Sequence, residues 1–296
     1  MSAIVLQVIE VKEVIEKVNY FDKKEIIKKN ICFAFNVWDI NSAKAIIDAS
    51  LELLHPIFIQ VSAKIFDTID AEEFIYVVKR YINIKKAKVI IHLDHSQNIK
   101  QISKAIEFGW DSVMYDGSNL SLNENINNTN IIVDISKKMN VLVEAEIGQV
   151  KGVEDDICVE KNSEVLIEDV QKFISSTNVD LLAVAIGTAH GQYGNILPKI
   201  NYDLLKQIGE ISDIPFVVHG GSELTDDILK KLISHNNVKK INISTDIKQA
   251  YRNGIIESTK LGLLNEKNFD ALKVQKQIYD NIKSVAISKL RILKEI

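Results

Sequence analysis

The sequence predicts an α/β fold: eight parallel strands, each followed by a helix, closed into a (β/α)8 barrel of the TIM type. Three observations carry that expectation. Eight short runs rich in Val, Ile or Phe recur along the 296 residues. Each run is continuously apolar rather than alternating, the mark of strands buried on both faces. Amphipathic stretches separate the runs, and eight such β-then-α units fit one barrel.

The runs are Ile31–Phe35, Ile57–Val61, Lys88–Leu93, Ser112–Tyr115, Val141–Glu144, Leu181–Ile186, Phe216–Val218 and Lys240–Ile243. Helices are expected over Ser42–Leu54, Ala71–Tyr81, Ile99–Phe108, Ile126–Lys138, Val165–Ser175, Tyr202–Ile208, Asp226–Ser234 and Asp246–Ser258. Asn41 or Ser42, Asp70, Thr225 and Thr245 stand where N-caps belong. Their side-chain oxygens can accept from the free N–H groups of a first turn. Residues 1–30 read as a helical extension at the bottom of the barrel, and residues 267–296 as a C-terminal helix. Only three prolines occur and no low-complexity linker interrupts the chain, so residues 1–296 read as one domain. A doubly wound open sheet is the alternative, but no Gly-x-Gly-x-x-Gly follows the first strand.

Composition narrows the function classes. Hydrophobic residues make up 46% and charged residues 26%, an ordinary balance for a soluble globular chain. The net charge of −4, from 36 basic and 40 acidic residues, leaves no basic footprint for nucleic acid. No run of about 18 apolar residues is present, so no membrane span is expected. Glu10, Lys12, Glu13, Glu16 and Lys17 interrupt the first residues, unlike a signal peptide. Cys32 and Cys158 form no CxxC pair and are read as reduced thiols of a cytoplasmic protein.

Catalytic groups of this fold gather at the C-terminal ends of strands. Here every run ends in polar residues: Asn36; Gln60 and Ser62; His92-Leu93-Asp94-His95; Asp116-Gly117-Ser118; Glu144-Ala145-Glu146; Gly187-Thr188-Ala189-His190-Gly191; His219-Gly220-Gly221-Ser222; and Asn242-Ile243-Ser244-Thr245-Asp246. His55 and His235 lie at helix ends and read as surface residues. His92, His95, His190 and His219 lie at strand ends, and three neutral imidazoles suit Zn²⁺ while leaving a position open for substrate. Neutral ligands leave the ion its full charge for polarising a carbonyl. Asp94 and His95 read as two ligands, or as a ligand beside a general acid. Asp116 and Glu146 would orient imidazoles or hold a second metal position. The Gly220-Gly221-Ser222 and Asn242–Thr245 segments follow strands seven and eight, the usual phosphate site of the fold. Gly148–Asn162 is polar and acidic and reads as a lid loop carrying a base.

These motifs, in this order and spacing, resemble the class II aldolase family from about Phe33 to Tyr251. Gly152-Val153-Glu154-Asp155-Asp156 and the acidic Glu223 resemble the tagatose-bisphosphate branch. The resemblance implies a cytoplasmic, zinc-dependent lyase of carbohydrate metabolism. It would cleave tagatose 1,6-bisphosphate, or fructose 1,6-bisphosphate, to dihydroxyacetone phosphate and glyceraldehyde 3-phosphate. His95, His190 and His219 would hold Zn²⁺, and a monovalent cation is allowed beside it. Asp94 would protonate the aldehyde oxygen, and Glu154 would move the proton at the nucleophilic carbon. Gly191, Gly220, Gly221, Ser222, Asn242, Ile243, Ser244 and Thr245 would hold the dihydroxyacetone phosphate. His92 matches a family position that is not a ligand. A homodimer or homotetramer is implied, with a non-catalytic partner subunit in the tagatose branch.

Gly194, Lys151 and Asn201 depart from common family residues, and residues 1–30 match the family's opening helix poorly. A barrel subunit that binds phosphosugar without turnover is a second reading. A zinc amidohydrolase would need His-x-His after the first strand, where Phe35-Asn36-Val37 stands.

Overall fold

A computed structural model describes residues 21–154, 157–159, 165–191, 193, 198–267 and 269–295; within 151–159 only Gly152 is described beyond its backbone. The strands are β1 Cys32–Asn36, β2 Ile57–Ser62, β3 Val89–Ser96, β4 Ser112–Tyr115, β5 Leu142–Ile147, β6 Lys151–Glu154, β7 Ile157–Val159, β8 Leu181–Val184, β9 Ala189–His190, β10 Phe216–Val218 and β11 Val238–Ile243. The helices are α1 Lys23–Lys29, α2 Ile40–Leu53, α3 Ala63–Thr68, α4 Ala71–Lys85, α5 Ile99–Glu107, α6 Leu122–Lys138, α7 Ile167–Ser176, α8 Tyr202–Ile211, α9 Asp226–Ile233, α10 Thr245–Lys260 and α11 Ala271–Ile292. Eight strands close in the order β1-β11-β10-β8-β5-β4-β3-β2, while β7, β6 and β9 form a separate small sheet.

Side chains of a strand alternate between two faces, so each barrel strand feeds the interior with every second residue. Phe33 and Phe35 of β1 join the core between barrel and helices. Cys32 and Ala34 instead meet Phe58, Ile90, Leu142, Leu181, Ala183 and Val217 inside the barrel. Ile26 and Ile27 of α1 pack onto this interior cluster from below. Asp22 caps α1 by accepting from the backbone N–H groups of Lys24 and Glu25. Lys23 then anchors the helix by donating to the carbonyl oxygens of Asn140, at 2.8 Å, and Asp111, at 3.4 Å. The expected N-terminal extension is thus seen as a bottom plug from residue 21 onward; residues 1–20 lie outside the described part.

Several boundaries differ from the sequence expectation. Asp39, not Asn41 or Ser42, caps α2: its carboxylate accepts from the Ser42 N–H, and Ser42 answers with its own hydroxyl. Asp70 and Thr225 cap as expected. At α10 the cap position belongs to Ser244, which makes no side-chain cap bond, and Thr245 is already helical. The short α3 follows β2 without a loop and was not anticipated. Strands β3 and β5 run on to Ser96 and Ile147, so their polar ends belong to the sheet itself.

The C-terminal helix α11 lies across α10 and α2. Gly254 of α10 permits the approach, because a Cβ there would stand 2.6 Å from the Ile278 Cα. Asp48 of α2 accepts hydrogen bonds from Tyr81, at 2.7 Å, and from Tyr279 of α11. Among the described residues, no helix is long and apolar enough to cross a membrane.

Trp110, between α5 and β4, is only 1% exposed and stacks near Phe66 and Phe74, with centroids 5.3 and 6.2 Å away. Trp110→Ala is expected to cost about 3–5 kcal/mol, the range for removing a large buried aromatic. Urea unfolding reads the loss as a lowered midpoint.

Candidate active site and metal centre

On β1, β2, β3, β5 and β10 the inward row is apolar at the bottom and polar at the top, and on β11 the last two inward residues are both polar. Ala34 is followed by Asn36, Phe58 by Gln60, Ile90 by His92 and Asp94, Leu142 by Glu144 and Glu146, Val217 by His219, and Lys240 by Asn242. All of these polar residues are buried, so they must satisfy one another.

Three of the four strand-end histidines converge. One ring nitrogen from each of His95, His190 and His219 lies within 4.8 Å of the others. Their ring centroids are 4.6 to 5.6 Å apart, with planes crossing at 79–86°. The end of β3 makes this possible. His95 takes a left-handed backbone, φ 51°, and the β3–β4 register shifts between Leu93 and Ser96. Such a bulge re-aims a side chain, and a non-glycine left-handed residue is a strain that surrounding structure must hold. His190 is aimed by the short strand β9, which pairs with β6 through Gly152↔His190. Gly152 is required there: its φ is +119°, and a Cβ would stand 2.1 Å from the His190 carbonyl oxygen.

Carboxylates set the imidazoles' orientations. His95 Nδ1 lies 3.1 Å from Asp116 Oδ2 and 3.6 Å from Glu146 Oε2. His219 Nε2 lies 3.0 Å from Glu144 Oε1. Its Nδ1 is buried with no hydrogen-bond partner among the described residues. A buried lone pair facing two other imidazoles fits a metal ion, and the three-nitrogen donor set is the one Zn²⁺ takes when a position stays open. His95, Asp116 and Glu146 form a second group able to hold a cation. His92 stands apart: its Nδ1 meets Ser112 Oγ at 2.8 Å, below the convergent triad.

Burial works against charge throughout this site, and the neighbours decide the outcome. For Asp116, burial is outweighed by His95 and Ser118, which hold the carboxyl far below its usual range. For Glu144, burial is outweighed by Lys240, His219 and His92, with the same result. For Glu146 the balance goes the other way: burial and the nearby Asp116 outweigh His95 and raise it well above the ordinary carboxylate value. His219 is pushed down to about 4, by burial first and then by His95.

Asp94 sits at the barrel centre, fully buried. Its Oδ2 accepts from Asn36 Nδ2 at 3.1 Å and from Gln60 Nε2 at 3.0 Å, and Asn242 Nδ2 approaches Oδ1 at 3.5 Å. Asn36 and Gln60 were noted only as polar strand ends. Their shared carboxylate was not legible, because the partners lie 58 and 34 residues away in sequence.

Gly191, Gly220, Ser222, Asn242, Ser244 and Thr245 line one small cavity with His190 and Lys248. Ser222 Oγ accepts from the N–H groups of Ser244 and Asp246, tying the two segments together. Gly220 has φ +67°, and a Cβ would stand 2.2 Å from the Ala189 oxygen. Gly221 supports the cradle from behind, donating its N–H to the Asn242 oxygen at 3.0 Å. The Ile243 side chain faces away, into the outer core. Tyr193 was missed by the sequence reading. It donates to the Gly220 oxygen at 2.7 Å and accepts from the Ala189 N–H at 2.8 Å, joining the His190 and His219 loops.

Two larger spaces open near this site, one of them against the triad. One, of 480 Å³, is lined by His95, Asp116, Glu146 and His190 and opens toward Gln149 and Gly152. The other, of 300 Å³, lies beside Asn36 and Ser62, with walls of Val37, Trp38, Ile65, Lys248 and Tyr251. The expected lid loop is in part a hairpin, β6 against β7, with Glu154 paired to Ile157. The side chain of Glu154 lies outside the described residues, as do Asp155 and Asp156.

The class-II fructose-bisphosphate aldolase family model matches residues 24–296. The chain belongs to that family. It is an aldehyde-lyase, an aldolase whose family acts on small phosphosugars. A sulfofructosephosphate aldolase from Alkalicoccus urumqiensis is 35% identical over 224 residues, covering 75% of this chain and 77% of the relative. The YdjI aldolase of Escherichia coli K12 superposes with a TM-score of 0.76 at 25% identity, over 92% of this chain and 96% of that one. Fructose-bisphosphate aldolase from Campylobacter jejuni shares the fold, with a TM-score of 0.75 at 22% identity over 97% and 95% of the two chains.

The depressed imidazoles carry a stability consequence. Below the ordinary value of 6.5 the unfolded chain protonates His219, while the metal-free folded protein does so only near 4. The unfolded state therefore holds the extra proton between these values, and stability falls as pH drops through that window. His92, lowered in the same sense, adds to the effect, and Glu146 opposes it with one proton. Two imidazoles against one carboxyl leave the net loss on the acid side. The urea midpoint of chelator-treated protein is expected to be lower at pH 5 than at pH 6.5.

Proposed function

We propose that this chain is a zinc-dependent aldolase that reversibly cleaves a ketose 1,6-bisphosphate to dihydroxyacetone phosphate and glyceraldehyde 3-phosphate. Tagatose 1,6-bisphosphate is the first substrate to test, and fructose 1,6-bisphosphate the second. The observation that carries the reading is the convergence of His95, His190 and His219 beside Asp94, with a glycine-lined cavity adjoining. Zinc held by the three imidazoles would supply a Lewis acid for the carbonyl and hydroxyl oxygens of dihydroxyacetone phosphate.

The protein's own groups account for the remaining steps. The cradle of Gly191, Gly220, Ser222, Asn242, Ser244 and Thr245, backed by Gly221, offers backbone N–H groups and hydroxyls at a helix start, which suit a phosphate. Ile243 contributes through its backbone alone. Asp94 gives a proton to the aldehyde oxygen in synthesis and removes it in cleavage. Asn36 and Gln60 fix that carboxyl's position. Glu154, on the hairpin that pairs with the His190 strand, moves the proton at the carbon of dihydroxyacetone phosphate. The chamber beside Asn36, whose amide bonds Asp94, receives the aldehyde half.

A second substrate reading has one observation in its favour. The Alkalicoccus relative, 35% identical to this chain, is named for sulfofructosephosphate. Mostly apolar walls with one lysine, Lys248, line the chamber for the far end. A singly charged sulfonate asks for fewer donors than a phosphate dianion.

The test is a panel of tagatose bisphosphate, fructose bisphosphate and sulfofructosephosphate, compared by kcat/KM with zinc saturating. Chelation is expected to abolish cleavage and added zinc to restore it. Turnover untouched by metal removal overturns the mechanism, and stoichiometric sugar binding without turnover favours the non-catalytic subunit. In the same assay Gly220→Ala, which drives a Cβ into the Ala189 carbonyl, is expected to lower kcat/KM about a hundredfold by displacing the cradle.

A further inference from the structure

We propose that Lys240 is a positioning residue for the metal centre: acting through Glu144, it fixes the tautomer and aim of the His219 imidazole. The inference rests on the metal reading above but reaches a residue that touches neither ion nor substrate.

Lys240 is 0% exposed, in the middle of the barrel interior. Lysine is almost never found so placed unless its charge is paired. Its Nζ lies 2.7 Å from Glu144 Oε2 and sits over the Phe58 ring, 5.5 Å from the centroid. It lines none of the three cavities described above. Replacing a buried ion pair with apolar residues is often neutral or stabilising. Fold stability alone is therefore a weak reason for a lysine here.

Its partner supplies a stronger reason. Glu144 divides its two oxygens: Oε2 meets Lys240, and Oε1 meets His219 Nε2 at 3.0 Å. An ionised carboxylate only accepts, so Nε2 must carry the hydrogen. The Nδ1 lone pair is then left facing His95 and His190. Nδ1 finds no hydrogen-bond partner among the described residues, as a metal-facing nitrogen requires.

Two imidazoles flank Glu144, but neither replaces the lysine. His92 Nε2 is 3.6 Å away, and its ring is held by Ser112. His219 is the group being positioned. Lys240 is thus the one lysine in the described contacts of Glu144, the other two partners being imidazoles. Without it, the buried Glu144 carboxylate is left with Oε2 unmatched, a cost that drives the side chain to turn away from His219 and releases the aim of that ring.

The experiment titrates metal-free protein with zinc against a chromophoric chelator, with no substrate present. Lys240→Met is expected to weaken zinc binding about 10- to 100-fold, the range for losing an outer partner of a metal-bound histidine. The double variant Lys240→Met/Glu144→Gln is expected to recover most of that loss. A glutamine oxygen can accept from Nε2–H without any counter-charge. Circular dichroism confirms that both variants fold.

Wild-type zinc affinity in Lys240→Met, or a folded double variant no better than the single one, overturns the proposal. Should the single variant not fold, the tautomer is read in metal-free wild-type protein by long-range ¹⁵N–¹H correlation, with His219 assigned from His219→Ala. Nε2–H is expected, and Nδ1–H overturns the proposal. Wild-type protein that binds no zinc overturns the metal reading and this proposal with it, whereas wild-type zinc binding that Lys240→Met leaves unchanged overturns this proposal alone.

Discussion

A closed parallel barrel sends every second side chain of each strand into one dry interior, and any charge placed there must be matched. The rest of this structure follows from how that demand is met. At the bottom the interior is filled by Phe58, Ile90, Leu142 and Val217, sealed by Ile26 and Ile27. Above them the same rows turn polar, and burial penalises each group that stays charged or unpaired. Glu144 is matched by Lys240 and His219, Asp116 by His95 and Ser118, and Asp94 by Asn36 and Gln60. One ring nitrogen from each of His95, His190 and His219 then lies within 4.8 Å of the others, an arrangement that a divalent cation completes.

The strained and tethered segments stand around that set. His95 adopts its left-handed backbone because the bulge at the end of β3 leaves its ring between Asp116 and the other two histidines. Tyr193 ties the loop bearing His190 to Gly220, and β6 pairs with the strand bearing His190. The three imidazoles thus arrive from different strands, yet each loop is fixed to its neighbour. Such fixing matters because displacement of about 1 Å at a reacting centre can cost a hundredfold in rate.

Much of this was legible in the sequence. Strands buried on both faces give unbroken apolar runs, so all eight barrel strands were found. The polar residues that stop each run marked Asp94 and the three convergent histidines. The strand ends were placed too early in β3 and β5, because Asp94 and Glu146 look like loop residues until their partners are known. Those partners are remote: Lys240 and Glu144 are 96 residues apart, and only barrel closure brings them together. The β6–β7 hairpin was hidden for another reason. Its acidic, glycine-containing sequence breaks up the apolar residues, and its strands are marked by backbone pairing with each other and with β9. Helix α3 was missed because Ile65 and Phe66 lie in a segment too short to show a period.

The central claim is that one divalent ion sits between the third, sixth and seventh barrel positions. Anomalous diffraction from zinc-loaded crystals, collected on both sides of the zinc absorption edge, tests it most directly. The account predicts one dominant peak within bonding distance, about 2.0–2.1 Å, of nitrogens from His95, His190 and His219. A dominant peak held by Asp116 and Glu146 alone, or no peak near these histidines at full zinc occupancy in solution, would contradict it.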